Sequence, residues 1–173
     1  MRARDIVTIF VCNDLLKVAK TPQEILKINF KKLEKIIFRI GFYKNKAKTL
    51  HKACKYILEN YNGKVPNKLE ELLKIPGVGR KTANLVLSMA FNKPAICVDI
   101  HVHRISNRLG FIKTKNVLES ELTLQKILSK KYWSCWNDLL VIWGQNICTP
   151  TSPKCSQCAI SNFCKKVGVT KSR

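Results

Sequence analysis

Four cysteines crowd one short stretch of this 173-residue chain. Cys148, Cys155, Cys158 and Cys164 follow the spacing C-x6-C-x2-C-x5-C within seventeen residues. Thiolates so close in sequence can converge on one metal centre. Zinc and an iron–sulfur cluster compete for them. Four-cysteine zinc sites usually pair two C-x2-C knuckles, and only one is present, so the pattern favours the cluster. Cys12, Cys54, Cys97 and Cys135 lie scattered among apolar neighbours, where a free thiol acts as a small hydrophobe. A disulfide framework is not expected: no signal peptide is visible in the sequence, and reducing compartments keep thiols free.

A second constellation runs from Leu72 to Ala83, Leu-Leu-Lys-Ile-Pro-Gly-Val-Gly-Arg-Lys-Thr-Ala. Gly77 and Gly79 permit positive φ angles and leave no side chain in the way. Backbone N–H groups of the turn and of the helix that follows can then face a phosphate. Val78 would anchor the turn to the core, and Arg80 and Lys81 would hold the same anion. A Gly-x-Gly after a helix is often only a C-cap. Helices on both sides, Pro76 before and two basic residues behind match the helix-hairpin-helix motif of DNA-repair proteins, which grips backbone without reading sequence. Charge agrees. Thirty-two Lys and Arg against eleven Asp and Glu give +21, an excess that a polyanion neutralises. Nucleotide bias accounts for Lys over Arg, but not for so few acids.

The elements that must position these residues are helical. Apolar residues recur at three- and four-residue steps through Ile25, Ile28, Leu33, Ile36, Ile37 and Ile40, predicting one helix that ends at Gly41. Further stripes run over Leu50 to Leu58, over Leu69 to Ile75 and from Arg80 to Ala90. Three more helices are expected over 101–109, 117–128 and 132–143. Strand character is confined to Ala95-Ile96-Cys97-Val98. The fold class is therefore all-α. No apolar run approaches the roughly 20 residues of a membrane span; a cytoplasmic, nucleoid-associated protein is expected.

The segments Pro76-Gly77-Val78-Gly79-Arg80-Lys81-Thr82-Ala83-Asn84 and Val98-Asp99-Ile100-His101-Val102-His103-Arg104 resemble the endonuclease III family. The resemblance continues through Ile40-Gly41-Phe42-Tyr43, Asn62-Gly63-Lys64-Val65-Pro66 and the C-terminal cysteines, and covers nearly the whole chain. It implies a two-domain helix-hairpin-helix glycosylase fold, with residues 1–93 as the hairpin domain and 94–173 as the cluster domain. It also implies a monomeric bifunctional DNA glycosylase/AP lyase acting on double-stranded DNA with damaged pyrimidines or abasic sites. Lys81 would be the nucleophile and Asp99 its partner. Cys148, Cys155, Cys158 and Cys164 would hold a 4Fe-4S cluster. Gly77, Val78, Gly79, Arg80 and His101 would meet the DNA backbone, and Phe42 would wedge into the gap left by a flipped nucleotide.

Elementary chemistry is compatible with these roles. An amine attacks only when unprotonated, and an ordinary Lys is almost wholly charged at neutral pH. The first turn of a helix, Arg80 alongside and partial burial would all disfavour the ammonium form. Asp99, before a helix, reads equally well as an N-cap; a cap and a catalytic carboxylate both need a fixed side chain.

One departure stands out. Family members begin well before this Met1, so a helix of each domain would be missing or shortened, with Arg2 or Arg4 near the position where relatives place a Gln beside the DNA gap. Two other functions remain open: a monofunctional mismatch glycosylase, against which Lys81 argues, and a noncatalytic DNA-binding iron–sulfur module.

Overall fold

The computed structural model describes residues 5–173, and among them every regular element is helical. Arg2 and Arg4 lie outside the described residues. The chain forms two compact units, divided between Gly79 and Arg80. The expected division after Lys93 falls one helix later: the helix that begins at Arg80 groups with the second unit. No helix among the described residues is long and apolar enough to cross a membrane.

The first unit contains α1 (Asp5–Val18), α2 (Pro22–Lys27), α3 (Phe30–Ile37), α4 (Tyr43–Tyr61) and the short α5 (Leu69–Leu72). The single helix expected through Ile25 to Ile40 is two. Thr21 and Glu24 form a capping box that starts α2, with Pro22 in its first turn. At Asn29 the backbone turns to ψ 133°, and the side chain accepts the Lys31 N–H at 3.0 Å to start α3. A strong cap opens a new helix although the apolar stripe runs on. Val11, Leu33, Ile37 and Ala47 from α1, α3 and α4 form the centre of this unit.

The second unit contains α6 (Arg80–Phe91), α7 (Ile100–Leu109), α8 (Val117–Ile127), α9 (Trp133–Asn146) and three single 3-10 turns, two of them in the cysteine loop. Ala95-Ile96-Cys97-Val98 is irregular rather than a strand, and all four residues are buried. It threads the core, so its apolar run records burial on every side. Ile96, Val102, Ile105 and Leu124 are essentially inaccessible; such side chains contribute roughly 1.5–3 kcal/mol each. The Trp133 indole N–H donates to the Leu128 carbonyl at 2.8 Å, so the ring packs without an orphaned donor.

Candidate active site and cysteine loop

The hairpin turn is built as its glycines require. The Val78 N–H donates to the Ile75 carbonyl at 3.0 Å, with Ile75 buried beneath and Val78 half-buried. Gly77 has φ +82°, and a Cβ there would overlap the Thr49 side chain. Gly79 differs: a Cβ would meet nothing within 4 Å. Its lack of a side chain keeps that side of the turn open to an approaching group. Arg80 and Lys81 follow at the start of α6.

Lys81 Nζ lies 3.4 Å from Asp99 Oδ2. The lysine side chain is 51% exposed and the aspartate 4%. Asp99 is the N-cap of α7: Oδ1 accepts the His101 N–H at 2.7 Å and the Val102 N–H at 3.0 Å. One carboxylate oxygen is thus used to fix the group, and the other faces the amine. The N-cap and the partner of the Lys81 amine are the same side chain. Close by, the Cys97 thiol points to the Lys81 carbonyl at 3.6 Å. Burial pushes that thiol up to about 11, against the opposing pull of the Lys81 charge.

One expectation about Lys81 changes, though not that of partial burial, since the side chain is half exposed. The positive charge of Arg80 does not press on it unopposed, because Arg80 is held by Glu121. Arg80 Nε sits 3.0 and 3.1 Å from the two carboxylate oxygens, and Nη2 sits 2.9 Å from Oε1. Sequence reasoning missed Glu121, which lies 41 residues away. One signal was available: Val117, Glu121 and Leu124 fall at helical steps on one stripe, and a carboxylate on an apolar stripe needs a buried partner.

His101 is half-buried, with Nδ1 at 3.1 Å from Arg104 Nη2. Gly144 of α9 makes room for both residues, since a Cβ there would overlap the His101 ring. Arg104 also donates to the carbonyls of Gly144 and Cys148, at 3.2 and 2.9 Å. Burial, and then repulsion by Arg108, pull Arg104 below the usual guanidinium range. One turn on, Arg108 donates to the carbonyls of Thr149 and Pro150, both at 2.7 Å, and approaches Cys148 Sγ at 3.5 Å. The two arginines tie α7 to the cysteine loop. Their i, i+4 spacing on α7 is the sequence signal for that shared role.

All four cysteines line one small cavity of about 30 Å³, together with Ile105 and Trp143. The Lys166 N–H points at Cys164 Sγ at 3.4 Å. Among the described residues no group of three or more His, Cys, Asp or Glu side chains is arranged to hold a single metal ion. Four sulfurs thus line a shared apolar hollow, with N–H donors directed at two of them.

Phe42, before α4, adopts φ 60° and ψ 30° and is 70% exposed. A left-handed backbone is unusual for a bulky residue. Its ring is not folded onto the core.

Three relatives place this architecture. Endonuclease III of Thermotoga maritima is 45% identical over 95% of this chain and 77% of that protein. Endonuclease III of Bacillus subtilis is 43% identical over 90% of this chain and 72% of its own length. A solved structure described as a trapped endonuclease III–DNA covalent intermediate, an estranged-adenine complex, superimposes with a TM-score of 0.88. It is 41% identical and covers 95% of this chain and 78% of its own. Residues 2–130 match the family described as HhH-GPD superfamily base excision DNA repair protein. The chain belongs to that superfamily.

Proposed function

We propose that this protein is a bifunctional DNA glycosylase/AP lyase of base excision repair, acting as a monomer on double-stranded DNA that carries oxidised pyrimidines or abasic sites. The observation that carries the reading is the Lys81 amine facing Asp99 at 3.4 Å, two residues along the chain from Gly79, which has open space beside it. The relatives described as endonuclease III, and a solved covalent complex of one with DNA, support it.

The chemistry follows from the two side chains. Asp99 accepts the proton that leaves the Lys81 ammonium, and the freed amine attacks C1′ of the sugar. The C1′–N bond breaks and the base departs with the bonding pair, taking up a proton. The ring opens to an iminium, the protonated Schiff base of Lys81. Loss of a C2′ proton then expels the 3′-phosphate, and water releases the lysine. Asp99, fixed by two backbone N–H groups, stabilises the positive charge that develops on the sugar. The turn at Gly77, Val78 and Gly79 would grip phosphate, with Arg80 and His101 at the adjoining helix starts, while Phe42 would fill the gap left by the flipped nucleotide.

Cys148, Cys155, Cys158 and Cys164 would hold a 4Fe-4S cluster. That group would supply a structural cross-link, the chemistry above requiring no redox step, and it would present Lys154, Lys165 and Lys166 to the duplex. Iron and sulfide analysis after anaerobic purification tests this, and stoichiometric zinc in a colourless protein would overturn it.

Borohydride trapping on an abasic duplex tests the reaction. Wild type should give a covalent adduct and strand scission, and Lys81→Ala neither. Duplex binding with no adduct from wild type would leave a noncatalytic DNA-binding module in its place. Scission of thymine glycol duplexes tests the substrate class.

A further inference from the structure

Two consecutive residues of α8, Ser120 and Glu121, are polar and almost fully buried, at 0% and 2% exposure. Each reaches a different helix. Glu121 holds Arg80, the residue before Lys81, in the bidentate contact described above. Ser120 Oγ lies 2.6 Å from His103 Nδ1 on α7 and 2.7 Å from Thr114 Oγ1. His103 in turn donates its backbone N–H to the Asp99 carbonyl at 2.9 Å. One turn of α8 therefore touches the backbone neighbourhoods of both reactive groups.

The Lys81–Asp99 contact cannot set its own spacing. It is a single long hydrogen bond from a half-exposed side chain with four rotatable bonds. What fixes the distance is where the two helix starts lie, and α8 fastens both. We propose that Glu121 is a positioning residue for Lys81, acting through Arg80: the buried carboxylate locks the first turn of α6 so that the amine reaches Asp99 and the sugar carbon together. A misplacement of about 1 Å in such a pair lowers a rate by about a hundredfold, so a partly relaxed helix start should lose about tenfold.

This inference rests on the lyase reading. It is tested by single-turnover borohydride trapping over a range of abasic-duplex concentrations, with thermal melting in parallel. Glu121→Gln removes the charge and keeps the shape. The double variant Arg80→Met, Glu121→Leu replaces the pair by apolar groups of similar volume, which buried pairs tolerate in folding terms. In Glu121→Gln, which keeps Arg80, the rate at saturating duplex should fall about tenfold with the half-saturating concentration within about threefold of wild type; the double variant should lose as much rate at saturation, whatever it also loses in grip on the duplex. Folded variants that trap at the wild-type rate would overturn the proposal. So would a higher half-saturating concentration at an unchanged maximal rate, because Arg80 would then serve only as a grip on DNA. If wild type itself forms no adduct, it is the lyase reading that has failed; an adduct from wild type with unaltered variants defeats only the role of Glu121.

Discussion

Arg80 and Lys81 are neighbours at the start of α6, and each faces a buried carboxylate, yet the two pairs are built to opposite standards. Arg80 meets Glu121 through three contacts of 2.9 to 3.1 Å. Lys81 meets Asp99 through one of 3.4 Å, from a side chain that is half in solvent. A planar guanidinium suits a permanent two-point grip, and an ammonium on a flexible stem does not. On the chemistry proposed above, a group that must leave its partner to form a covalent bond has to be held loosely, whereas a group that fixes a helix must not let go. The tight pair gives the loose one a stable platform.

That contrast can be broken at Asp99 first, where the effect should be largest. Asp99→Asn keeps a good N-cap and should lower the single-turnover trapping rate by about 10²-fold or more, the scale of proton-transfer assistance. Asp99→Ala should lose as much rate and also about 1 kcal/mol of stability, because the Oδ1 bonds to His101 and Val102 disappear. Equal melting of the two variants would show that the cap contributes nothing. Next comes the tight pair. Arg80→Gln strands a carboxylate that is 3% exposed and should cost about 2–3 kcal/mol, somewhat below the usual loss for buried pairs because Arg80 itself is over one-third exposed. Lys81→Ala should shift stability by less than about 1 kcal/mol. Comparable losses in urea titrations would erase the distinction between the two pairs.

The smallest effect concerns Cys97, under the Lys81 backbone. Its thiol keeps its proton in the folded state up to about 11, because of burial, against an ordinary value of 9.0. Between those values the unfolded chain has lost the proton and the folded chain has not, so stability falls as pH rises through the window. Cys97→Ala should flatten that part of the stability–pH curve; an unchanged slope would mean that lysines alone produce it.

The hairpin and Asp99 were legible in the sequence because each is a local device. Only glycine suits the φ of Gly77, and an Asp before an apolar helix caps it whatever else it does. The cysteines were legible for the same reason: their spacing is the signal. The break at Asn29 was not, because apolar periodicity runs unbroken across it while a single capping side chain decides the outcome. Nor was the fastening of α6 and α7 to α8. Glu121 pairs with a residue 41 positions away, and an isolated Glu in a helix reads as solvated until its partner is known. Ala95 to Val98 misled in a related way, since apolar runs record burial and say nothing of hydrogen-bonded pairing.

Phe42 carries a consequence for anyone engineering the protein. Its left-handed backbone would suit glycine or asparagine, and its ring faces water. Judged by folding alone the residue is a poor choice, at a penalty of about 1 kcal/mol. A programme that optimised heat resistance or shelf life would replace it early, see the melting point climb and, on the function proposed above, blunt the implement meant to pry open the substrate.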